Sequence, residues 1–444
     1  MAVDIRRRRR WFALPVDVTH EVSGFELLFD VVTAFAFSQI EREVLNTPNG
    51  LGLLRAAVIL AMLWGCWMNY CWVANTVRAD TGAVRLLHAV ALGGMVVGGM
   101  TVAEAFVAPG LHSHAVVFLT CYLLIRCTSA AALWLAQGPA ARGRVLMVLA
   151  ATGWTAASIV VSTQLTGDPR LSAWGLALCG EIVAAGVFTR NWRVSSAEHL
   201  SARYGFIVSV GLEMSLGGIA LSAFGHPVTV RLIVLIGAAL TIAVLLWWLY
   251  FDTLCLFARH KVSRATSEET AHQRLHAKLA YLHYSLLHML LLGGMLGFGL
   301  TVRHIALTVI SARSPQWGVP VHGLWATCLI GGLALYLATV ALMWRMLDGS
   351  VHISNYVIAA GALVSIPFVR QLPELYVLAG VAVIGLLLLF LHIALPHSRS
   401  QRHQVRAMLR DAAHAAHAAH AAHKPHLHAP HVVPEAAGVS PFRG

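Results

Sequence analysis

Two carboxylates lie one helical turn apart in the apolar stretch GFELLFDVVTAFAFSQ, which runs from Gly24 to Gln39. Glu26 and Asp30 are four residues apart, so a helix places both on the same face. An ionisable side chain inside a membrane helix costs on the order of 2.5 to 3.5 kcal/mol on insertion scales, so it indicates a functional site by default. The pair predicts either a site that handles a proton or a cation, or a buried ion pair that holds helices together.

Further ionisable residues fall near the middle of apolar stretches, namely Arg126, Glu181 and Glu213. Arg126 keeps its charge and therefore needs a water-filled cavity or a carboxylate, which Glu181, Glu213 or Asp30 would supply. The acids outnumber this arginine, and surplus acid in a low dielectric is expected to take up and release protons. The alternative is a purely structural network of pairs, with the aromatic side chains around it as packing residues: Tyr70, Tyr122 and Tyr250.

The segment HLSARYGF carries His199 and Arg203 four residues apart, at the expected cytoplasmic entry of a helix. A phosphate, a lipid head group or a carboxylate would fit there, and ordinary anchoring of a membrane helix by basic residues is the alternative. The sequence contains no nucleotide-binding loop, nucleophile elbow, HExxH or redox motif. It therefore gives no direct sign of catalysis and implies no cofactor.

The elements that must position these residues are membrane helices. Of the 444 residues, 58% are hydrophobic and 12% are charged, and the mean hydropathy is +0.69, which excludes an ordinary soluble globular protein. We predict an all-α polytopic membrane protein with about 12 transmembrane helices, each of roughly 20 residues. The stretches are 24–40, 54–77, 84–106, 115–136, 145–163, 171–188, 204–224, 229–256, 277–301, 323–346, 354–369 and 374–396.

The basic residues predict the orientation, because lysine and arginine accumulate in cytoplasmic loops. With twelve spans, 24 of them fall on the side of the Arg6 to Arg10 run and 7 on the opposite side. Both termini are therefore predicted to be cytoplasmic. The net charge of +12 reflects this rule rather than nucleic-acid binding. The expected partners are the lipid bilayer and an unknown small molecule or ion, and the oligomeric state is not indicated.

Similar strings occur twice in the same order. SGFELLFD, WMNY and RLLHAVALGGM correspond to YGFIVSVGLE, WWLY and AYLHYSLLHMLLLGGM. Two six-helix parallel repeats would explain this order, as in several transporters, and chance recurrence in aromatic-rich sequence is the alternative. The predicted parts are a basic N-tail (1–20), a first half (21–193), a second half (194–396) and a His- and Ala-rich tail (397–444). The offsets are 181 residues for Gly24 to Gly205, 180 for Trp67 to Trp247 and 195 for His88 to His283.

The tail contains four histidines spaced three residues apart: His414, His417, His420 and His423. On a helix, successive rings rotate by about 60 degrees. Adjacent pairs would share a zinc or nickel ion, whereas all four would not. A disordered tail built from repeated AAH triplets is the alternative.

Several strings together resemble the bacterial low temperature requirement protein A family over roughly residues 20 to 395: FELLFDVVTAFAFSQ, WMNYCWVAN, VAEAF, YLLIR, HLSARYGF, WWLYFD and AYLHYSLL. The resemblance implies a multi-helix bacterial inner-membrane protein linked by name to growth in the cold. There are two departures: Ala202 stands where the family usually has an acid, and a step that usually reads Gly-Glu-Ser reads GLEMS. The resemblance also implies that the residues at motif positions carry the site: Glu26, Asp30, Tyr122, Arg126, His199, Arg203, Gly205, Glu213, Tyr250, Asp252 and His283.

The leading hypothesis is a transporter-like protein with a polar site between the two halves. Glu26 and Asp30 would face Arg126, the fixed counter-charge. Glu213 or Glu181 would take up the proton. One alternative is a membrane-embedded enzyme that acts on a lipid or lipid-linked intermediate, with the HLSARYGF segment at the head group. The other is a non-catalytic scaffold or sensor.

Overall fold

The computed structural model describes residues 16, 21–106, 113–188, 195–252, 254–255, 257–258, 285–311, 319–394 and 410. Within these residues the regular elements are helices, and the β contact is a single bridge between Pro320 and Pro373. Residues up to Phe390 form one compact unit, and a second unit begins at Leu391. The histidines proposed for a metal, His414, His417, His420 and His423, lie outside the described residues.

Seven helices occupy the first part of the described chain. They are α1 (Gly24–Ser38), α2 (Ile40–Asn46), α3 (Gly50–Ala74), α4 (Gly82–Val102), α5 (His114–Gln137), α6 (Arg142–Ser162) and α7 (Asp168–Phe188). Seven more follow: α8 (Ala197–Ala223), α9 (Val230–Phe251), α10 (His288–Ile310), α11 (Gly323–Ala326), α12 (Gly332–Asp348), α13 (Ile353–Val369) and α14 (Glu374–Ala394). A π-helical turn, Thr327–Gly331, joins α11 to α12.

Eight helical runs among the described residues are long and apolar enough to cross a membrane. The all-helical, multi-pass membrane architecture predicted from composition is therefore confirmed. Each of the twelve predicted stretches overlaps a helix, but α1, α7 and α13 are not among the eight runs, so the count of twelve stays a prediction. The runs are Gly50–Ala74, Gly82–Val102, His114–Ser162, Glu198–Ala223, Val230–Phe251, Ser285–Ile310, Gly323–Leu347 and Glu374–Leu391.

Side chains at the start of two helices determine where the charged residues lie. At α1, the Ser23 hydroxyl accepts from the Glu26 amide at 3.3 Å, and the Ser23 amide donates to Glu26 Oε1 at 3.4 Å. This reciprocal capping box satisfies donors that a helix otherwise leaves unpaired. At α8, Ser196 Oγ accepts from the His199 amide at 3.2 Å. Helix α8 therefore begins seven residues before the predicted stretch at 204, and it includes Arg203.

Glycines allow two pairs of helices to approach closely. A Cβ atom on Gly99 of α4 would lie 2.7 Å from Ala36 Cβ of α1. A Cβ atom on Gly299 of α10 would lie 2.9 Å from Ser215 Cα of α8. Helix α4 thus packs on α1 as α10 packs on α8, and in both pairs only a residue without a side chain fits at the contact.

Candidate functional site

A buried ion cluster joins the beginning of α1 to the beginning of α8. Arg203 donates from Nη1 to Glu26 Oε2 at 2.8 Å, and from Nε to Asp30 Oδ2 at 2.7 Å. Its Nη2 atom bonds the other oxygen of Asp30. Both carboxylates are 0% exposed and Arg203 is 1% exposed. The guanidinium therefore bridges the two acids that the sequence places on one helix face, with the bidentate geometry that makes arginine suited to buried pairs.

A tryptophan and a histidine complete this cluster. Trp67 of α3 donates its indole N–H to Asp30 Oδ1 at 2.6 Å. His199 Nε2 lies 2.7 Å from Glu26 Oε2. Glu26 Oε1 is used by the capping box of α1, where the Ser23 hydroxyl donates to it at 2.9 Å. Each oxygen of Glu26 thus has a separate structural task, one within α1 and one between α1 and α8.

Asn75 sets the hydrogen position on the His199 ring. The Ser195 amide donates to Asn75 Oδ1 at 2.8 Å, and Asn75 Nδ2 donates to the Ser196 carbonyl at 2.7 Å, so backbone groups orient the side-chain amide. The same Nδ2 lies 3.4 Å from His199 Nδ1. That nitrogen consequently accepts, which leaves the ring hydrogen on Nε2 facing Glu26.

The chemistry of this cluster follows from its four side chains. Glu26 and Asp30 are carboxylates, Arg203 is permanently charged, and His199 is an imidazole whose Nε2 atom faces Glu26. Each of the four side chains is at most 1% exposed, so their charges interact in surroundings that are almost completely shielded from water. The arrangement can therefore hold α1 against α8 through charge-assisted hydrogen bonds.

A second cluster lies between α5, α6 and α7. Arg126 Nη2 donates to Glu181 Oε2 at 2.8 Å. The Tyr122 hydroxyl bonds Glu181 Oε1, and Thr155 Oγ1 donates to the same oxygen at 3.1 Å. Among the carboxylates considered as partners of Arg126, Glu181 thus forms the ion pair. The expected contact of Arg126 with Glu26 and Asp30 is wrong, because those acids bind Arg203 instead.

The remaining predicted residues do not join either cluster. Glu213 is exposed on α8 and has no hydrogen-bond or ion-pair partner among the described residues. Asp252 is exposed just after α9. Tyr250 is buried, and its hydroxyl lies 2.7 Å from His288 Nε2. His283 lies outside the described residues. No group of three or more metal-ligating side chains that could hold a metal occurs among the described residues.

Two Tyr and His pairs flank the ion cluster. Tyr70 and His88 contact each other edge-on, with ring centroids 4.5 Å apart, and Tyr250 and His288 do so at 5.5 Å. His88 also contacts Phe25 of α1 at 6.4 Å, and His288 contacts Tyr204 of α8 at 5.0 Å. His288 thus contacts a tyrosine and a residue of α8, as His88 contacts a tyrosine and a residue of α1. The pairing of His88 with His283 stays a prediction, because His283 lies outside the described residues.

Sequence reasoning missed three contributors to the site: Ser23, Trp67 as a hydrogen-bond donor, and Asn75. The Ser-x-x-Glu spacing of Ser23 and Glu26 is the signature of a capping box and could have been recognised. The tryptophan was noted only for its recurrence at Trp247. Nothing in the spacing of Asn75 indicates its contact with residues 195 and 196, which are about 120 positions away along the chain.

Comparison with known proteins finds one matching family and a relative that covers most of the chain. A profile of the family described as bacterial low temperature requirement A protein matches residues 21–390. A protein of Rhizobium meliloti (strain 1021), described as uncharacterized, is 24% identical over 393 residues, which are 84% of this chain and 90% of that protein. No solved structure matches the chain.

Proposed function

The chain belongs to the bacterial low temperature requirement A family, and from that premise we propose that it is a proton-coupled membrane transporter of the inner membrane. The observation that carries the proposal is the fully buried cluster in which Arg203 and His199 of α8 hold Glu26 and Asp30 of α1. Ionisable groups buried inside membrane bundles mark ion and proton pathways. The family name links its members to growth in the cold, which we include in the proposal.

The cluster lies where we propose that two related halves meet, residues 21–193 and 194–396. Residues 86–102 and 286–302 are identical at ten of seventeen positions, including LLH and LGGM. In the structure, α4 contacts α1 through Gly99 as α10 contacts α8 through Gly299. These equivalent contacts support a parallel repeat in which α1 and α8 are counterparts. Transporters of this kind bind at the interface between repeats and work by moving one against the other.

The chemistry of the cluster suits a coupling role. Movement of α8 away from α1 would separate Arg203 from two carboxylates, and isolated charges in an apolar interior are strongly unfavourable. Protonation of the acids as Arg203 withdraws would lower that cost. Movement of α8 therefore depends on proton binding by the acids. The distribution of arginine and lysine supports an orientation with both termini on the cytoplasmic side.

A non-catalytic scaffold or sensor is the second candidate, and a specific observation favours it. Every acid in the two clusters has partners: Glu26, Asp30 and Glu181 each contact an arginine. Complete pairing is what a purely structural network requires. By contrast, the lipid-enzyme alternative gains no support, because His199 and Arg203 are each 1% exposed and point at carboxylates.

The test is a current measurement on purified protein in proteoliposomes adsorbed to a solid-supported membrane. A pH step is applied with a panel of monovalent cations, organic acids, amino acids and sugars. We expect at least one solute to give a current that depends on the pH gradient and that Glu26→Gln removes. Glu104→Gln is the matched control, because Glu104 pairs with Arg42 in a contact in which both side chains are more than a third exposed. If the folded protein gives no current with any solute of the panel, the result contradicts transport and favours the scaffold or sensor.

A further inference from the structure

A second ionic contact connects the two proposed halves. Glu41 of α2 accepts from Arg303 Nη1 of α10 through Oε2 at 3.2 Å. The Glu41 side chain is 5% exposed and that of Arg303 is 20% exposed. The carboxylate of the pair is therefore buried, whereas the arginine side chain is partly exposed.

This contact lies at the opposite end of α1 from the ion cluster. Asp30 is on α1 and Glu41 is in the helix that follows it, eleven positions further along the chain. Eleven helical residues span roughly 16 Å. The two halves are thus joined by charged side chains at two levels, one near the beginning of α1 and one beyond its end.

Arg303 packs closely on a glycine of α8 and makes few hydrogen bonds. Its stem passes over Gly218 of α8, where a Cβ atom would lie 3.2 Å from Arg303 Cβ. Its Nε atom is buried without a hydrogen-bond partner. In the first half, Ala103 stands at the position that corresponds to Arg303 when residues 86–102 are aligned with 286–302. The arginine is therefore a feature of one half only, and it is held by fewer bonds than Arg203.

We propose that Glu41 and Arg303 form a proton-binding latch, which closes the halves at this end and opens when Glu41 takes up a proton. Protonation places the hydrogen on the Glu41 carboxylate and removes its charge. Arg303 keeps its charge and, because its side chain is already 20% exposed, turns away from Glu41. The role of the latch in gating rests on the proposed transport, whereas proton binding by the pair does not.

The charges around Glu41 support this assignment. Burial raises the pKa of Glu41 to about 7, and Arg303 opposes the rise. The other charged groups on α2 and on the elements packed against it are engaged elsewhere. On α2 itself, Glu43 pairs with Arg55 of α3 and Arg42 pairs with Glu104. His304 of α10 lies 3.8 Å from Glu374. Glu26 and Asp30 bind Arg203 near the beginning of α1.

The test is the unfolding midpoint of the full-length protein in nanodiscs between pH 5 and pH 8.5. Because the pKa of Glu41 is higher in the folded protein than its ordinary value of 4.5, the folded state is stabilised by the proton and loses that contribution as pH rises through about 7. We expect the unfolding midpoint of the parent protein to decrease over this pH range relative to that of Glu41→Gln. Because Arg303 lowers the pKa of Glu41, we expect this decrease to occur at higher pH in Arg303→Gln. Glu104→Gln should keep the parent profile.

Two outcomes overturn the proposal. One is a difference between the parent protein and Glu41→Gln that does not change with pH. The other is a fall that Arg303→Gln leaves in place or moves to lower pH. Neither result depends on whether the protein transports a solute, so failure of the latch is distinguishable from failure of the proposed function.

Opening is measured separately by maleimide labelling of single cysteines in a background without the native ones. Gly218→Cys places a thiol under the Arg303 stem, and Gly217→Cys places one at an exposed neighbour. The ratio of their labelling rates cancels the effect of pH on the thiol itself. We expect this ratio to rise at least twofold from pH 8 to pH 6, and to stay constant when Glu41→Gln is added. A constant ratio in the parent background excludes opening.

Discussion

Arg203 donates two hydrogen bonds to Asp30, from Nε to one carboxylate oxygen at 2.7 Å and from Nη2 to the other. Neither side chain is more than 1% exposed. A lysine offers a single point charge in place of this planar fork. We expect Arg203→Lys to lower the free energy of unfolding by about 3 kcal/mol, the lower end for breaking a buried pair. The measurement is reversible unfolding in a fixed detergent.

Arg78→Lys is the matched control for that variant. Arg78 pairs with Asp80 at 3.2 Å, but its side chain is 42% exposed, and exposed pairs contribute about 0 to 1 kcal/mol. Equal losses from the two substitutions would contradict a special role for the Arg203 fork.

Trp67 and Trp247 provide a second comparison, because they correspond in the proposed repeat but differ in surroundings. Trp67 is 0% exposed and donates to Asp30, whereas Trp247 is 47% exposed. A hydrogen bond to a charged group contributes about 1.5 to 3 kcal/mol. We expect Trp67→Phe to cost that amount and Trp247→Phe to cost clearly less. Similar costs for both would mean that the indole N–H is unimportant.

Glu181 and Glu213 are both mid-helix acids, yet among the described residues only Glu181 forms side-chain hydrogen bonds and an ion pair. Glu181→Gln removes the charge that balances Arg126, so we expect a loss of about 3 kcal/mol. Glu213→Gln changes an exposed side chain and should stay within about 0.5 kcal/mol. Thermal unfolding of the two variants side by side checks both values, and the reverse order would argue against the described packing of α8.

Two glycines on α4 should respond to alanine with opposite signs. At Gly99 the added Cβ would meet Ala36 at 2.7 Å, whereas at Gly93 nothing lies within 4 Å. We expect Gly99→Ala to cost about 1 to 3 kcal/mol through overpacking. Gly93→Ala should stabilise by about 0.5 to 1 kcal/mol, because glycine inside a helix is unfavourable. The same sign for both would disprove the close contact of α4 with α1.

Hydropathy located the helices well, because apolar runs of spanning length have few other uses. The main error concerned α8, whose predicted start at 204 left Arg203 in a loop. Ser196 starts the helix earlier, so Arg203, which the sequence places at a helix entry as a candidate anion-binding residue, lies within α8 and in the centre of the ion cluster. Local capping thus decided the identity of the counter-charge, and hydropathy is insensitive to capping.

The partner of each buried acid was harder to predict than its presence. Spacing alone placed Glu26 and Asp30 on one face, since four residues make about one turn. Asp30 and Glu26 are 173 and 177 positions from Arg203 along the chain. A single sequence does not indicate which residues so far apart along the chain come into contact. Arg126 was chosen because it lies mid-span, but α5, α6 and α7 enclose it with Glu181.

The carboxylate of Glu26 begins a helix with one oxygen and holds a neighbouring helix with the other. Withdrawal of α8 would leave that side chain without its ionic partners, and the first turn of α1 would then depend on Ser23 and the backbone alone. Local order at residues 23–26 is therefore a reporter of assembly. Amide hydrogen exchange there should quicken whenever the two helices part, long before the rest of α1 unwinds.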